Sequence, residues 1–172
     1  MAIAAILATI LTAALTAFNA AAADPLAECN DSPNPATQIR GCTQYINEGK
    51  PDKHNLSIAY VNRAIAYSML GKNGEALKDF SSAIEVDPNN PLAYYNRGNL
   101  YLDTGHHDLA INDFTCALAI DPMFSLAYYN RGLAYERLQK LHEAKADFAQ
   151  VLALDPSHAD AKEHLDRLRL IN

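Results

Sequence analysis

Residues 92–101 read LAYYNRGNLY and residues 126–135 read LAYYNRGLAY, the second copy beginning 34 positions after the first. Sliding the chain by the same interval aligns Tyr60 with Tyr94 and Tyr128, and Tyr67 with Tyr101 and Tyr135. It also aligns Ala76 with Ala110 and Ala144, and Phe80 with Phe114 and Phe148. Each unit closes on an Asp-Pro step, Asp87-Pro88, Asp121-Pro122 or Asp155-Pro156, and the series needs no gap. A fixed period of this length marks a supersecondary unit too small to bury its own apolar face, so copies must stack to make a core.

Within a unit, apolar residues recur at three- and four-residue steps, as in Tyr94 and Tyr101 or Ala110, Phe114 and Ala117. That rhythm predicts two amphipathic helices per unit, broken at LGKNGE (70–75), TGHHDL (104–109) and LQKLHE (138–143). Asn90-Pro91 offers a cap and a first-turn proline for the helix that follows. After Pro156, Ser157 is expected to cap a last helix whose Ala161, Leu165 and Leu168 form one apolar stripe, with Asp160, Glu163, Asp166 and Arg167 in water.

These residues resemble the tetratricopeptide repeat family over about 57–158, in three complete units, 57–90, 91–124 and 125–158. The small residue at the eighth position is Ala64, Gly98 or Gly132; the alanine at the twentieth and the proline at the thirty-second are present in all three units. Departures are tyrosine for the usual tryptophan at the fourth position, Arg63, Arg97 and Arg131 where leucine is common, and Val151 for the last unit's second alanine. The resemblance implies an all-α, right-handed α-solenoid of three helical hairpins. Residues 24–56 would form a short N-terminal helical cap, with 36–48 as a degenerate second helix, and 159–172 a C-terminal capping helix.

It also implies a site. In the family, the second, fifth, sixth and ninth positions of the first helices line a concave groove. Carried onto this chain, the groove would present Ile58, Val61, Asn62 and Ile65, then Leu92, Tyr95, Asn96 and Asn99, then Leu126, Tyr129, Asn130 and Leu133. An amide both donates and accepts, so one asparagine per unit could bond the backbone of an extended peptide, with the aliphatic and tyrosine neighbours supplying affinity. Relatives that grip acidic C-terminal peptides use lysine and arginine where this chain has Leu92, Tyr95, Leu126, Tyr129 and Asn130, so a carboxylate clamp is not expected. The expected partner is a protein or an extended, partly apolar peptide.

Each of Arg63, Arg97 and Arg131 meets an aspartate sixteen residues on, Asp79, Asp113 or Asp147. A partner in register three times predicts intra-hairpin ion pairs rather than ligand contacts.

Residues 1–23 contain no charged side chain, have an apolar stretch from Ile3 to Phe18, and end in Ala21, Ala22 and Ala23 before Asp24. The pattern reads as a cleaved secretory signal, although no basic residue precedes the apolar stretch. The expected location is therefore periplasmic or secreted, with no membrane contact in the mature form; if the segment is retained as an anchor, the alternative is a membrane-anchored scaffold for an envelope assembly. Cys29 and Cys42 can pair in an oxidising space, and Cys116, amid DFTCALAI, is expected to be a partly buried helix residue.

A net charge of −6, with Lys+Arg 14 against Asp+Glu 20, offers no basic face for nucleic acid. No nucleophile elbow, phosphate loop or paired-carboxylate spacing points to an enzyme, and no cofactor is expected. His106, His107 and His142 fall in the turns of adjacent units, and a metal site built from them is the alternative reading from another class.

Overall fold

The computed structural model describes residues 24–49 and 52–171; the expected secretory segment, 1–23, lies outside them. Among the described residues the fold is all helical: α1 (Pro25–Asp31), α2 (Pro35–Asn47), α3 (Lys53–Met69), α4 (Asn73–Val86), α5 (Pro91–Asp103), α6 (His107–Ile120), α7 (Ser125–Arg137), α8 (Leu141–Leu154) and α9 (Ala159–Arg169). Helices α1–α2, α3–α4, α5–α6 and α7–α8 pair as hairpins, each hairpin packs on the next, and α9 closes the stack against α8. Among the described residues no helix is long and apolar enough to cross a membrane.

The helix boundaries follow from local chemistry. Asp24, Asn34, Asp52 and Asn90 cap α1, α2, α3 and α5 by accepting backbone N–H bonds, and prolines open α1, α2 and α5. The turn inside each of the three repeat hairpins, α3–α4, α5–α6 and α7–α8, is a Schellman motif. The Lys72 N–H bonds the Tyr67 carbonyl at 2.9 Å, the His106 N–H that of Tyr101 at 2.8 Å, and the Lys140 N–H that of Tyr135 at 2.9 Å. The motif needs a left-handed residue, supplied by Gly71 (φ 70°), Gly105 (φ 80°) and, in the third hairpin, Gln139 (φ 59°).

Between hairpins the repeated aspartate holds the turn. Asp87, Asp121 and Asp155 each accept through Oδ1 the N–H two residues on, from Asn89, Met123 and Ser157, at 3.1, 3.0 and 2.9 Å. This turn corrects one expectation. The Ser157 hydroxyl bonds Asp155 Oδ1 at 2.6 Å, and the cap of α9 is His158, whose Nδ1 accepts the Ala161 N–H at 3.3 Å. The aspartate already uses the serine, so the helix begins one residue later.

The core runs through the stack on Phe80, Phe114 and Phe148. A Cβ on Gly98 would stand 2.8 Å from Phe114 Cε1, and one on Gly132 would stand 2.9 Å from Phe148 Cε1, so the small eighth position is where each ring lies against the first helix. At the N-terminus the Cys29–Cys42 disulfide joins α1 to α2 with Cα atoms 4.4 Å apart. Gly41 permits that approach: its Cβ would lie 2.5 Å from Glu28 Cβ and 2.8 Å from the Cys29 nitrogen. Cys116 is exposed, not partly buried as expected; the buried stripe of α6 passes through Phe114, Ala117 and Leu118 and leaves it on the outer side.

A candidate peptide groove along the first helices

The first helices of successive hairpins touch one another, α1 with α3, α3 with α5 and α5 with α7, and so share one face of the stack. That face carries Ile58, Asn62, Ile65, Tyr95, Asn96, Asn99, Tyr129, Asn130 and Leu133 as partly exposed side chains. Leu92 and Leu126 stand out at 49% and 51% exposure, the same side chain presented twice, one repeat apart. Val61 does not belong to the exposed set. It is 5% exposed and packs with Ala64, Phe80 and Ala93, because the fifth position of α3 faces the seam with the next hairpin.

The three asparagines of the repeated motif have different partners. Asn62 Nδ2 donates to Asn30 Oδ1 on α1 at 3.0 Å, which extends the face onto the N-terminal hairpin. Asn96 Nδ2 turns back to its own helix and donates to the Leu92 carbonyl at 2.8 Å. Asn130 Nδ2 reaches across to α5, donating to Asn99 Oδ1 at 2.7 Å and to the Tyr95 hydroxyl at 3.2 Å. Two of the amides therefore bridge neighbouring first helices, and one is engaged only locally.

The arginines lie between the first and second helices of their own hairpins. Arg63, Arg97 and Arg131 donate from Nε and Nη2 to both oxygens of Asp79, Asp113 and Asp147, with distances from 2.6 to 2.9 Å. The aspartates are 5% exposed. For Arg63 and Arg131 burial works against the charge, but the carboxylate bonds outweigh it and hold the guanidinium above its ordinary pKa; at Arg97 those bonds are the leading effect. The third donor was not legible as a pairing in the sequence. Nη1 bonds a hydroxyl on the preceding hairpin: Thr43 at 3.0 Å, Ser81 at 3.1 Å and Thr115 at 3.0 Å. Ser81 and Thr115 each donate a hydrogen bond to the carbonyl four residues back, so each hydroxyl both donates and accepts. The signal was present as a small hydroxyl residue sixteen positions before Arg97 and Arg131, but it is twenty before Arg63, since the N-terminal unit is four residues longer.

Charge is uneven along the face. None of the second, fifth, sixth or ninth positions of the three hairpins is lysine or arginine. At the C-terminal end Tyr129 lies tilted against His158 and edge-on to His164, with centroids 4.9 and 5.9 Å away, and packs against Phe148. Burial raises its phenol pKa, and the carboxylates of Asp160, Glu136 and Glu163 raise it further. Glu136 is bound by His164 at 2.6 Å and Arg167 at 2.8 Å, but no ion pair among the described residues engages Asp160 or Glu163. A cleft of about 150 Å³ opens where α3 and α5 meet, with Ile65, Met69 and Phe80 on one side and Asn96, Asn99 and Asp103 on the other.

The turn histidines do not converge. His106 Nδ1 meets the Thr104 hydroxyl at 3.0 Å, and among the described residues no group of three His, Cys, Asp or Glu side chains could hold a metal. The metal reading is thereby withdrawn; turns repeated along a stack are spaced by the repeat and do not close on one point.

Residues 64–105 match the family model described as TPR repeat, and residues 91–124 and 125–158 each match that described as tetratricopeptide repeat. The chain is similar to the Arabidopsis OM64 TPR domain at 30% identity, covering 70% of this chain and 99% of that one with a TM-score of 0.66. It is 32% identical to the second TPR domain of human RPAP3, solved in complex with the HSP70 peptide SGPTIEEVD, over 68% of this chain and 98% of that one, TM-score 0.65. MamA from Desulfovibrio magneticus, 24% identical over 84% of this chain and 80% of its own with a TM-score of 0.72, shares the fold. No curated protein matches the chain.

Proposed function

The chain belongs to the tetratricopeptide repeat family, and from that premise we propose that it is a non-catalytic adaptor binding an extended peptide segment of a partner protein along its first helices, outside the cytosol. The observation that carries the reading is the pair Leu92 and Leu126, two half-exposed leucines one repeat apart on the face shared by the first helices. Apolar side chains so placed lose little by meeting a partner and gain its buried area. The structure of the RPAP3 domain with its HSP70 peptide supports peptide binding as the mode.

The asparagines enter with a division of labour. Asn62 and Asn130 brace neighbouring first helices, and Asn96, bound only to its own helix, is free to exchange the Leu92 carbonyl for a peptide carbonyl. Location in the periplasm or as a secreted protein is supported by the uncharged, apolar residues 1–23 and by the Cys29–Cys42 disulfide, a bond kept in oxidising compartments.

The test is a crosslinking pull-down from envelope extract, with the parent chain beside folded Leu92→Ala, Asn96→Ala and Leu126→Ala variants. A protein held by the parent and lost by all three places the contact on this face; equal capture by parent and variants rejects it. The mass of the purified N-terminus decides between a secreted adaptor and one anchored by residues 1–23.

A further inference from the structure

The cleft between α3 and α5 combines features that an apolar groove does not need. Ile65, Met69 and the nearly buried Phe80 make an apolar wall, while Asp103 places a carboxylate at the rim beside the amides of Asn96 and Asn99. Asp103 is the last residue of α5, where the helix dipole disfavours negative charge. No ion pair among the described residues engages it, its side chain is exposed, and on its other side it lines a second cleft with His107 and Arg137. At the same position the first hairpin has Met69 and the third has Arg137, so the carboxylate is particular to this seam and not a requirement of the repeat. A volume of about 150 Å³ is room for one side chain.

Resting on the peptide-groove reading, we propose that this cleft is a subsite for a lysine or arginine side chain of the bound segment. The aliphatic stem lies on Ile65, Met69 and Phe80, and the cation meets Asp103, with the Asn96 carbonyl oxygen as a further acceptor. Long cationic side chains are amphipathic in this way, with an apolar shaft and a charged head. The C-terminal end of the face carries both signs, with Arg137 and Arg167 beside Leu133 and Glu136. The unpaired Asp160 and Glu163 near Tyr129 attract a basic segment, and the lack of lysine or arginine at the groove positions leaves an acidic tail without a partner. The occupant is an apolar segment carrying basic residues, the opposite charge class from the acidic tail on the RPAP3 domain.

The experiment uses the purified chain on an array of amidated twelve-residue peptides in which apolar positions are fixed and one central position is varied among Lys, Arg, Met, Gln and Glu. Signals for Lys and Arg should exceed those for Met and Glu, and Asp103→Asn should lower them about 2- to 5-fold while leaving the Met peptides unchanged. Raising sodium chloride from 50 to 300 mM should erode the same preference. Binding without preference for Lys or Arg, or a preference that Asp103→Asn does not touch, overturns the subsite and leaves the groove standing. Failure to bind any apolar peptide, with thermal melting showing the chain folded, overturns both.

Discussion

Arg97 on α5 donates to Ser81 on the preceding hairpin, Nη1 to Oγ at 3.1 Å, while its other two donors hold both oxygens of Asp113 on α6. One guanidinium thus fixes the two helices of its own hairpin and the seam to the hairpin before it, and Arg63 and Arg131 do the same. The planar fork fits this task because five donors leave it in fixed directions, whereas the three donors of a lysine radiate from one nitrogen and cannot present that flat fork.

Removing the cation should cost far more than removing the seam bond. Arg97→Ala leaves Asp113 buried without a partner and should destabilise by about 3 to 5 kcal/mol, whereas Ser81→Ala should cost about 0.5 to 1.5 kcal/mol. Urea unfolding followed by circular dichroism measures both, and equal costs would contradict the division of roles.

The eighth position distinguishes tight from tighter contacts. Gly132→Ala puts a methyl 2.9 Å from the fully buried ring of Phe148 and should destabilise by about 1 to 3 kcal/mol. Gly41→Ala meets backbone of α1, which cannot swing aside as a ring can, so α1 should detach. Limited proteolysis of oxidised Gly41→Ala should cut within 24–49 while the parent resists; resistance equal to the parent would refute the close-approach argument.

Gln139 occupies a left-handed turn that glycine fills in the other two hairpins, at φ 59°. A side chain with a Cβ is strained there, so Gln139→Gly should raise the melting temperature by about 2 to 4 °C. A fall instead would mean that the side chain's contacts outweigh the backbone strain.

Reducing Cys29–Cys42 reopens a loop of 13 residues' separation and should cost about 3 kcal/mol on the chain-entropy account. Because each unit contacts only its neighbours, the loss should be local. Hydrogen exchange should speed up in α1 and α2 and stay unchanged in α7 and α8; uniform loss along the stack would show that the solenoid unfolds as one unit.

Sequence alone determined the repeat length, the hairpin in each unit, the Asn90-Pro91 helix start and the pairing of Arg63, Arg97 and Arg131 with their aspartates. These are legible because they recur at fixed intervals, and backbone geometry turns a fixed interval on a helix into a fixed place in space. Only the tertiary structure decided what differs between copies. It gave Asn62, Asn96 and Asn130 three different partners, buried Val61, exposed Cys116 and moved the last cap from Ser157 to His158. The reason is physical: a repeated letter fixes a side chain's position within its own unit, but its partner belongs to the neighbouring unit, whose letters do not repeat. Asn130 finds Asn99 and Tyr95 across its seam, whereas Asn96 faces Ile65 and Met69 around the cleft and turns back to its own helix.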